Sequence, residues 1–425
     1  MTNFREFPED FFWGSATAAH QVEGDNTNDW TRWEKQNAEK LADNAKSRFN
    51  PYTDLGMPTP EWQEIKDQAS RPENYISGKA ADHLNRYKKD FQLASKLNHN
   101  AYRFSIEWSR IEPEEGEINP EAIEHYHQVL DELEKRGIEP FVTLHHFTNP
   151  QWFADRGGWA SRQAHQRWQN FLDTVVEEFG DRVDYWITVN EPLLYSLEAY
   201  LLGGRPPNKH SPVAYRRSVK NLIKFHKQAY RKIKRQDGNS NVSFSTNNAY
   251  FESGGGPLNT AIAKIGKEWW NNYFIKKALP ELDFIALNFY FRNRIHYGFF
   301  KNEYRKKSDM GWELYPQGIY NVLQDLKKYN LPIIITENGL ADSEDSNRTW
   351  YLQKILKHIH RAREDNAPVA GYLHWSLLDN FEWDFGFWPR FGLIEVEYDT
   401  YERTVRGSAE KYAEIIDQNG LYSNE

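Results

Sequence analysis

Trp186-Ile187-Thr188-Val189-Asn190-Glu191-Pro192 is a run of aromatic and β-branched residues that stops at a carboxylate and a proline. Such residues suit a pleated, buried chain, and proline cannot donate to a ladder, so the run reads as a strand that ends at Glu191. Ile333-Ile334-Ile335-Thr336-Glu337-Asn338-Gly339 repeats the pattern, with Glu337 at the end and Asn-Gly as the turn signal. Neither run alternates apolar with polar. Continuous apolar runs mark strands covered on both faces, which is the signature of a parallel sheet under helices.

Runs of this kind predict eight strands, over 12–20, 101–108, 140–146, 185–190, 242–250, 284–290, 332–337 and 369–376. Segments of helical period lie between them, among them 83–97, 120–136, 162–179, 214–235, 317–329 and 350–363. Eight strand–helix units in series predict an α/β fold, a single (β/α)8 TIM barrel over residues 1–425 with loop insertions at its C-terminal face. A doubly wound open sheet would carry a Gly-rich phosphate turn after the first strand, and this chain has none. Segment 34–77, rich in Asn, Pro and Asp, is expected to fold over the barrel mouth with short helices. Ser253-Gly-Gly-Gly-Pro257 is expected to turn the chain into the fifth helix.

In such a barrel the C-terminal strand ends converge on one site. Here they read His20-Gln21 and Glu23, Arg103 to Trp108, His145-His146, Asn190-Glu191, Asn247-Asn248, Asn288 and Tyr290, Glu337-Asn338, and His374-Trp375. One buried polar residue is ordinary, but a ring of them on successive strands points to a site. Glu191 and Glu337 end the fourth and seventh strands, 146 positions apart (337 − 191) and nearly opposite across an eight-strand barrel. Two carboxyl groups about 5–5.5 Å apart suit displacement at a sugar carbon with retention, one protonating the leaving oxygen while the other attacks. Glu191 as the acid needs a pKa raised by burial and by its partner's charge. Glu337 as the nucleophile must stay ionised, and Arg103 and Tyr290 are its candidate donors, with Asn190 and Asn288 beside the pair. The two carboxyls are expected to titrate as a coupled system.

Adjacent strand residues face opposite ways, so at most one of His145 and His146 faces the mouth. No metal-ligand spacing accompanies them, and His146 reads as a hydroxyl-binding group, with no metal expected. The Trp375…Glu382-Trp383 stretch sets two indoles and a carboxylate in one loop, a combination that stacks on sugar faces and accepts from paired hydroxyls. Trp312 joins the candidate sugar-binding residues.

The net charge is −8, from 61 acidic against 53 basic residues, which argues against nucleic acid as a partner. Local basic stretches, Tyr215-Arg-Arg and 230–235, read as solvated helix faces. There are no cysteines, so disulfides and thiolate zinc sites are excluded, in keeping with a reducing cytoplasm. The start of the chain is polar and acidic, and no apolar run reaches the roughly 18 residues of a membrane span. The 16 Trp, 24 Tyr and 25 Phe permit carbohydrate stacking on top of ordinary core roles. The expected partner is a small carbohydrate, with no cofactor, no nucleic acid and no membrane, in the cytoplasm. Oligomeric state stays open.

Six motifs occur in order along nearly the whole chain: Phe11-Phe-Trp-Gly-Ser-Ala-Thr-Ala-Ala-His-Gln-Val-Glu-Gly24, Tyr102-Arg-Phe-Ser-Ile-Glu-Trp-Ser-Arg110, Thr188-Val-Asn-Glu-Pro192, Leu287-Asn-Phe-Tyr290, Ile335-Thr-Glu-Asn-Gly339 and Trp375-Ser-Leu-Leu-Asp-Asn-Phe-Glu-Trp383. Together they resemble family 1 of the glycoside hydrolases, the retaining β-glucosidases and β-galactosidases. The resemblance implies a (β/α)8 barrel with Glu191 as acid/base and Glu337 as nucleophile. It implies that Gln21, His146, Asn190, Glu382 and Trp383 hold the non-reducing sugar, with Trp375 stacked beneath it and Asn190 on its 2-hydroxyl. It further implies a retaining, exo-acting β-glycosidase of small β-glucosides, β-galactosides or β-fucosides, working through a covalent glycosyl-enzyme. A transglycosylase on the same site is the second enzyme reading. A catalytically retired sugar-binding barrel is the non-enzyme reading, against which both carboxylates are present.

Four departures from the family pattern bear on substrate preference. His146 is followed by Phe147 instead of the usual Trp, and Leu193 stands where many members carry Trp. Phe385 stands where many carry Glu or Ser, and offers an apolar wall to the sugar's 6-position. The region between the fifth and sixth strands is short. Branches that take 6-phosphosugars have a neutral residue at the Glu382 position, and the charge of Glu382 would repel a phosphate.

Overall fold

A computed structural model describes residues 4–49 and 60–422. Eight parallel strands close into a barrel: β1 (Phe12–Ala16), β2 (Ala101–Ser105), β3 (Glu139–Thr143), β4 (Tyr185–Asn190), β5 (Asn241–Ser253), β6 (Ile285–Ile295), β7 (Ile333–Asn338) and β8 (Val369–Trp375). Each pairs with its sequence neighbours, and β8 closes on β1 from Phe12↔Gly371 to Ala16↔Trp375. The eight expected strands are all present.

The boundaries shift where side chains stop supplying the pattern. The first, second and third strands end at Ala16, Ser105 and Thr143, short of the expected ends, and short helices follow the first two at Ala19–Val22 and Trp108–Ile111. β5 and β6 run on together past the mouth, from Tyr250↔Arg292 to Ser253↔Ile295, so the strand passes its expected end at 250 and takes in Ser253, where the turn was expected to begin. Only Gly254–Gly256 turn the chain into the helix Pro257–Lys267. The helix expected over 162–179 is broken into Ala164–Arg167 and Gln169–Phe179.

Ala101, Phe141, Ile187, Phe284, Ala286, Ile334 and Leu373 fill the barrel interior below the strand ends, with Phe12 and Tyr185 packed against them. Phe141 and Tyr185 stack at 4.5 Å. A larger apolar layer joins the helices to the outside of the strands. The two layers fix the strand ends without help from the site itself.

The segment after β1 is more helical than expected. Asp29–Asp43 is a 15-residue helix with a reciprocal cap between Asn28 and Thr31, and Ala45–Arg48, Trp62–Ala69 and Pro72–Tyr75 follow. It lies over the loop after β8, where Asn74 Nδ2 donates to the Phe385 carbonyl at 2.9 Å. Residues 50–59 of this segment lie outside the described residues. Among the described residues no helix is long and apolar enough to cross a membrane.

Candidate active site

Both glutamates sit where strand ends are pinned. The Asn190 amide donates to the His145 carbonyl at 2.8 Å and the Glu191 amide to the Ser245 carbonyl at 2.9 Å, tying the end of β4 to β3 and β5. Glu191 itself takes a left-handed backbone, φ 44°, and Pro192 then opens the helix Pro192–Ser196. Phe147 (φ 75°) and Trp383 (φ 52°) share this uncommon region. Three non-glycine residues so held just past the strand ends mark strain kept by the surrounding structure. Across the barrel, Glu337 faces Asn288 in the ladder of β6 and β7. Gly339 follows because no side chain fits: a Cβ there would lie 1.8 Å from the Trp375 carbonyl oxygen.

One hydrogen-bonded network joins the expected residues. Arg103 donates from Nη1 to Glu337 Oε1 at 2.6 Å and from Nη2 to Asn190 Oδ1 at 2.8 Å. Tyr290 donates its hydroxyl to Glu337 Oε2 at 2.9 Å. Asn288 Nδ2 reaches Asn190 Oδ1 at 3.1 Å and Glu191 Oε1 at 2.8 Å, while Thr336 donates to Asn288 Oδ1 at 2.8 Å. A cation and a phenol therefore serve Glu337, whereas Glu191 receives neutral amide donors. Burial, and then the charge of Glu337, push the Glu191 carboxyl up to about 7. Burial also lifts Glu337 above its ordinary value, against the pull of Arg103 and Tyr290. The arrangement separates a carboxyl poised to hold a proton near neutrality from one clamped by positive charge.

The tautomer of His146 follows from the same network. Asn190 Oδ1 is taken by Arg103 and Asn288, so its Nδ2 donates to His146 Nε2 at 3.1 Å. Burial keeps the imidazole neutral, and its proton therefore sits on Nδ1. That N–H has no hydrogen-bond partner among the described residues, and neither does Gln21 Oε1. Buried polar atoms are costly to leave without a partner, so both stand ready for the polar groups of a ligand. His145, past the end of β3, points away, to Asn149 and Trp159 at 3.2 and 3.1 Å.

Around this core the other expected residues gather. The His146 ring is near-parallel to Trp375 and to Trp383, with centroids 6.0 Å from each. Gln21 Nε2 reaches Glu382 Oε2 at 3.3 Å and the Asn380 and Phe381 oxygens at 2.9 Å. Trp312 meets Tyr290 edge-on at 6.2 Å. Phe385 is half-buried, stacked on Phe49 at 5.7 Å and set against Trp388 at 6.0 Å. Tyr290, Trp312 and Phe385 all flank the apolar cluster that contains Trp375. Among the described residues no group of three or more His, Asp or Glu is arranged to hold a metal ion.

Sequence reasoning missed one part of the site. Asp384 is clamped by Arg205 Nε at 2.9 Å and by Arg48 Nη2, which reaches its Oδ2 at 3.1 Å and its backbone oxygen at 2.7 Å. This clamp ties the loops after β1, β4 and β8 together beside Glu382. Burial pushes the Glu382 carboxyl up to about 8, and Arg205 is the main opposing charge. An acid next to another acid demands a counter-ion, and Asp384 beside Glu382 was the signal available.

Known proteins match the chain along its length. The model of glycosyl hydrolase family 1 matches residues 3–279 and 272–421. Beta-glucosidase A of Thermotoga maritima is 32% identical over 469 residues, covering 99% of this chain and 99% of that protein. The solved beta-glycosidase from Pyrococcus horikoshii superposes with a TM-score of 0.86 at 34% identity, over 99% of this chain and 97% of that one. The Thermotoga maritima beta-glucosidase in complex with glucoimidazole gives 0.83 at 29% identity, over 98% and 100%.

Proposed function

The chain belongs to glycosyl hydrolase family 1, and from that premise we propose a retaining, exo-acting β-glycosidase of small β-glucosides, β-galactosides or β-fucosides, with Glu337 as nucleophile and Glu191 as acid/base. The carrying observation is the unequal treatment of the two carboxyls: Arg103 and Tyr290 on Glu337, amides alone on Glu191. Glu337 attacks the anomeric carbon while protonated Glu191 gives its proton to the departing oxygen. The resulting ester is opened by water, whose proton returns to Glu191.

The surrounding groups fit these steps. The second proton on Asn190 Nδ2 is left for the 2-hydroxyl, a contact that strengthens as the ring flattens. Glu382, Gln21 and the His146 N–H take the hydroxyls further round the ring, with the indoles of Trp375 and Trp383 as apolar walls.

Replacing Glu337 by Gly should abolish hydrolysis, and azide should restore turnover as the α-glycosyl azide. NMR of the unmodified enzyme should show the β-anomer as first product, and an α-anomer first would overturn the proposal. A cello-oligosaccharide labelled at its reducing end should be shortened one glucose at a time from the other end.

A further inference from the structure

The charge of this chain is unevenly placed. Between residues 202 and 307 stand 21 Lys and Arg against 6 Asp and Glu, a net +15, while the rest, 32 against 55, carries −23. An acidic protein thus holds a strongly basic sector, and asymmetry of this size points to a polyanionic partner or surface.

The same sector carries most of the exposed large apolar side chains. Leu258, Ile265, Trp269 and Tyr273 form a stripe on the outer face of the helical stretch 257–278, with Leu258 59%, Ile265 69% and Trp269 42% exposed. That helix turns apolar residues to solvent where a surface helix ordinarily shows polar ones. Tyr297 (78%) and Phe299 (48%) continue the patch, and the Tyr297 amide is held by Asn259 Oδ1 at 2.9 Å. Exposed Lys264 and Lys277 flank the stripe. The neighbouring helix Pro212–Gln236 shows solvent a row of Arg216, Lys220, Lys224, Arg231 and Arg235 and contains no acidic residue. Glu281, in the turn that follows 257–278, binds Arg231 at 2.8 Å and Lys227 at 3.0 Å on that neighbouring helix.

We propose that this face docks on the surface of an anionic lipid bilayer, with the Leu258–Ile265–Trp269–Tyr273 stripe seated at the headgroup boundary and the basic row on the lipid phosphates. Aliphatic and indole side chains beside lysines are the equipment of an interfacial helix. A second copy fits poorly, because each copy would bring the same positive sector. A nucleic acid duplex would leave Ile265 and Leu258 without purpose. The basic stretches at 215–217 and 230–235 are then part of a binding field, and the contact needs no spanning segment.

Flotation of the full chain with vesicles tests this. Vesicles of phosphatidylcholine and phosphatidylglycerol in equal parts should carry the protein on the order of tenfold better than pure phosphatidylcholine, and added salt should reduce the difference. Ile265→Ser with Trp269→Ser, and separately Lys264→Glu with Lys277→Glu, should each cut partitioning about tenfold while hydrolysis of a soluble aryl β-glucoside is unchanged. The proposal is overturned if the protein floats with neither vesicle, if both pairs of substitutions leave flotation intact, or if the Ile265/Trp269 pair instead dissolves a dimer seen in sedimentation. Tight binding to a DNA duplex that is indifferent to the Ile265/Trp269 pair also overturns it.

Discussion

The contrast between Glu191 and Glu337 rests on Arg103 and Tyr290, which serve Glu337, and Asn288, which serves Glu191. With its carboxyl pushed up to about 7, Glu191 loses its proton as pH rises through neutrality, and acid assistance is lost with it. Glu191→Gln should therefore lose on the order of 10²–10⁴ in kcat/KM for poor leaving groups and far less for activated aryl glycosides. It should also lose the alkaline limb of the pH profile. Equal losses across a leaving-group series would remove Glu191 from the role. Phe385 is proposed to bear on the sugar itself. It cannot accept from a 6-hydroxyl, whereas a 6-methyl loses nothing against it. β-D-Fucosides should be turned over at least as well as β-D-galactosides, by on the order of 10-fold, and Phe385→Glu should reverse the order. A clear galactoside preference that Phe385→Glu leaves unchanged would show that the ring only packs on Phe49 and Trp388.

At the scale of elements, the loops after β1, β4 and β8 are one unit because Arg48, Arg205 and Asp384 tie them. Removing the main charge that opposes burial at Glu382 leaves its carboxyl less supported, so Arg205→Met should raise KM several-fold with a smaller change in kcat, and Arg205→Lys should recover part of the loss. A change confined to kcat would place Arg205 in the chemistry instead. These ties explain what the sequence showed and what it hid. Strands such as 185–190 and 333–338 were legible because burial on both faces leaves an unbroken apolar run, and each ends at a residue whose chemistry is plain. The joint extension of β5 and β6 was not, since it is held by polar contacts such as Arg292 with Glu252 at 3.0 Å and with Glu313 at 2.8 Å. Arg205 was hidden for the same reason: its partner lies 179 positions away in sequence, and no local period encodes that distance.

For the whole molecule, the site has a measurable cost in stability. Glu191 and Glu382 have folded pKa values of about 7 and about 8, above the ordinary value of 4.5. Between 4.5 and those values the folded state binds more protons than the unfolded one, so stability falls as pH rises through that window. Glu191→Gln removes one such group. It should raise thermal stability near pH 8 by about 3 kcal/mol and change little near pH 4, where both states are mostly protonated. An equal effect at both pH values would show that the gain comes from something other than titration. The same carboxyl that weakens the fold at alkaline pH is the one proposed to carry the proton. The most direct measurement of the central claim is to treat the enzyme with an activated 2-deoxy-2-fluoro-β-glucoside and sequence the labelled peptide by mass spectrometry. One sugar per chain is expected, attached to Glu337. A sugar on any other residue, or rapid turnover of a good substrate with no adduct ever trapped, would contradict it.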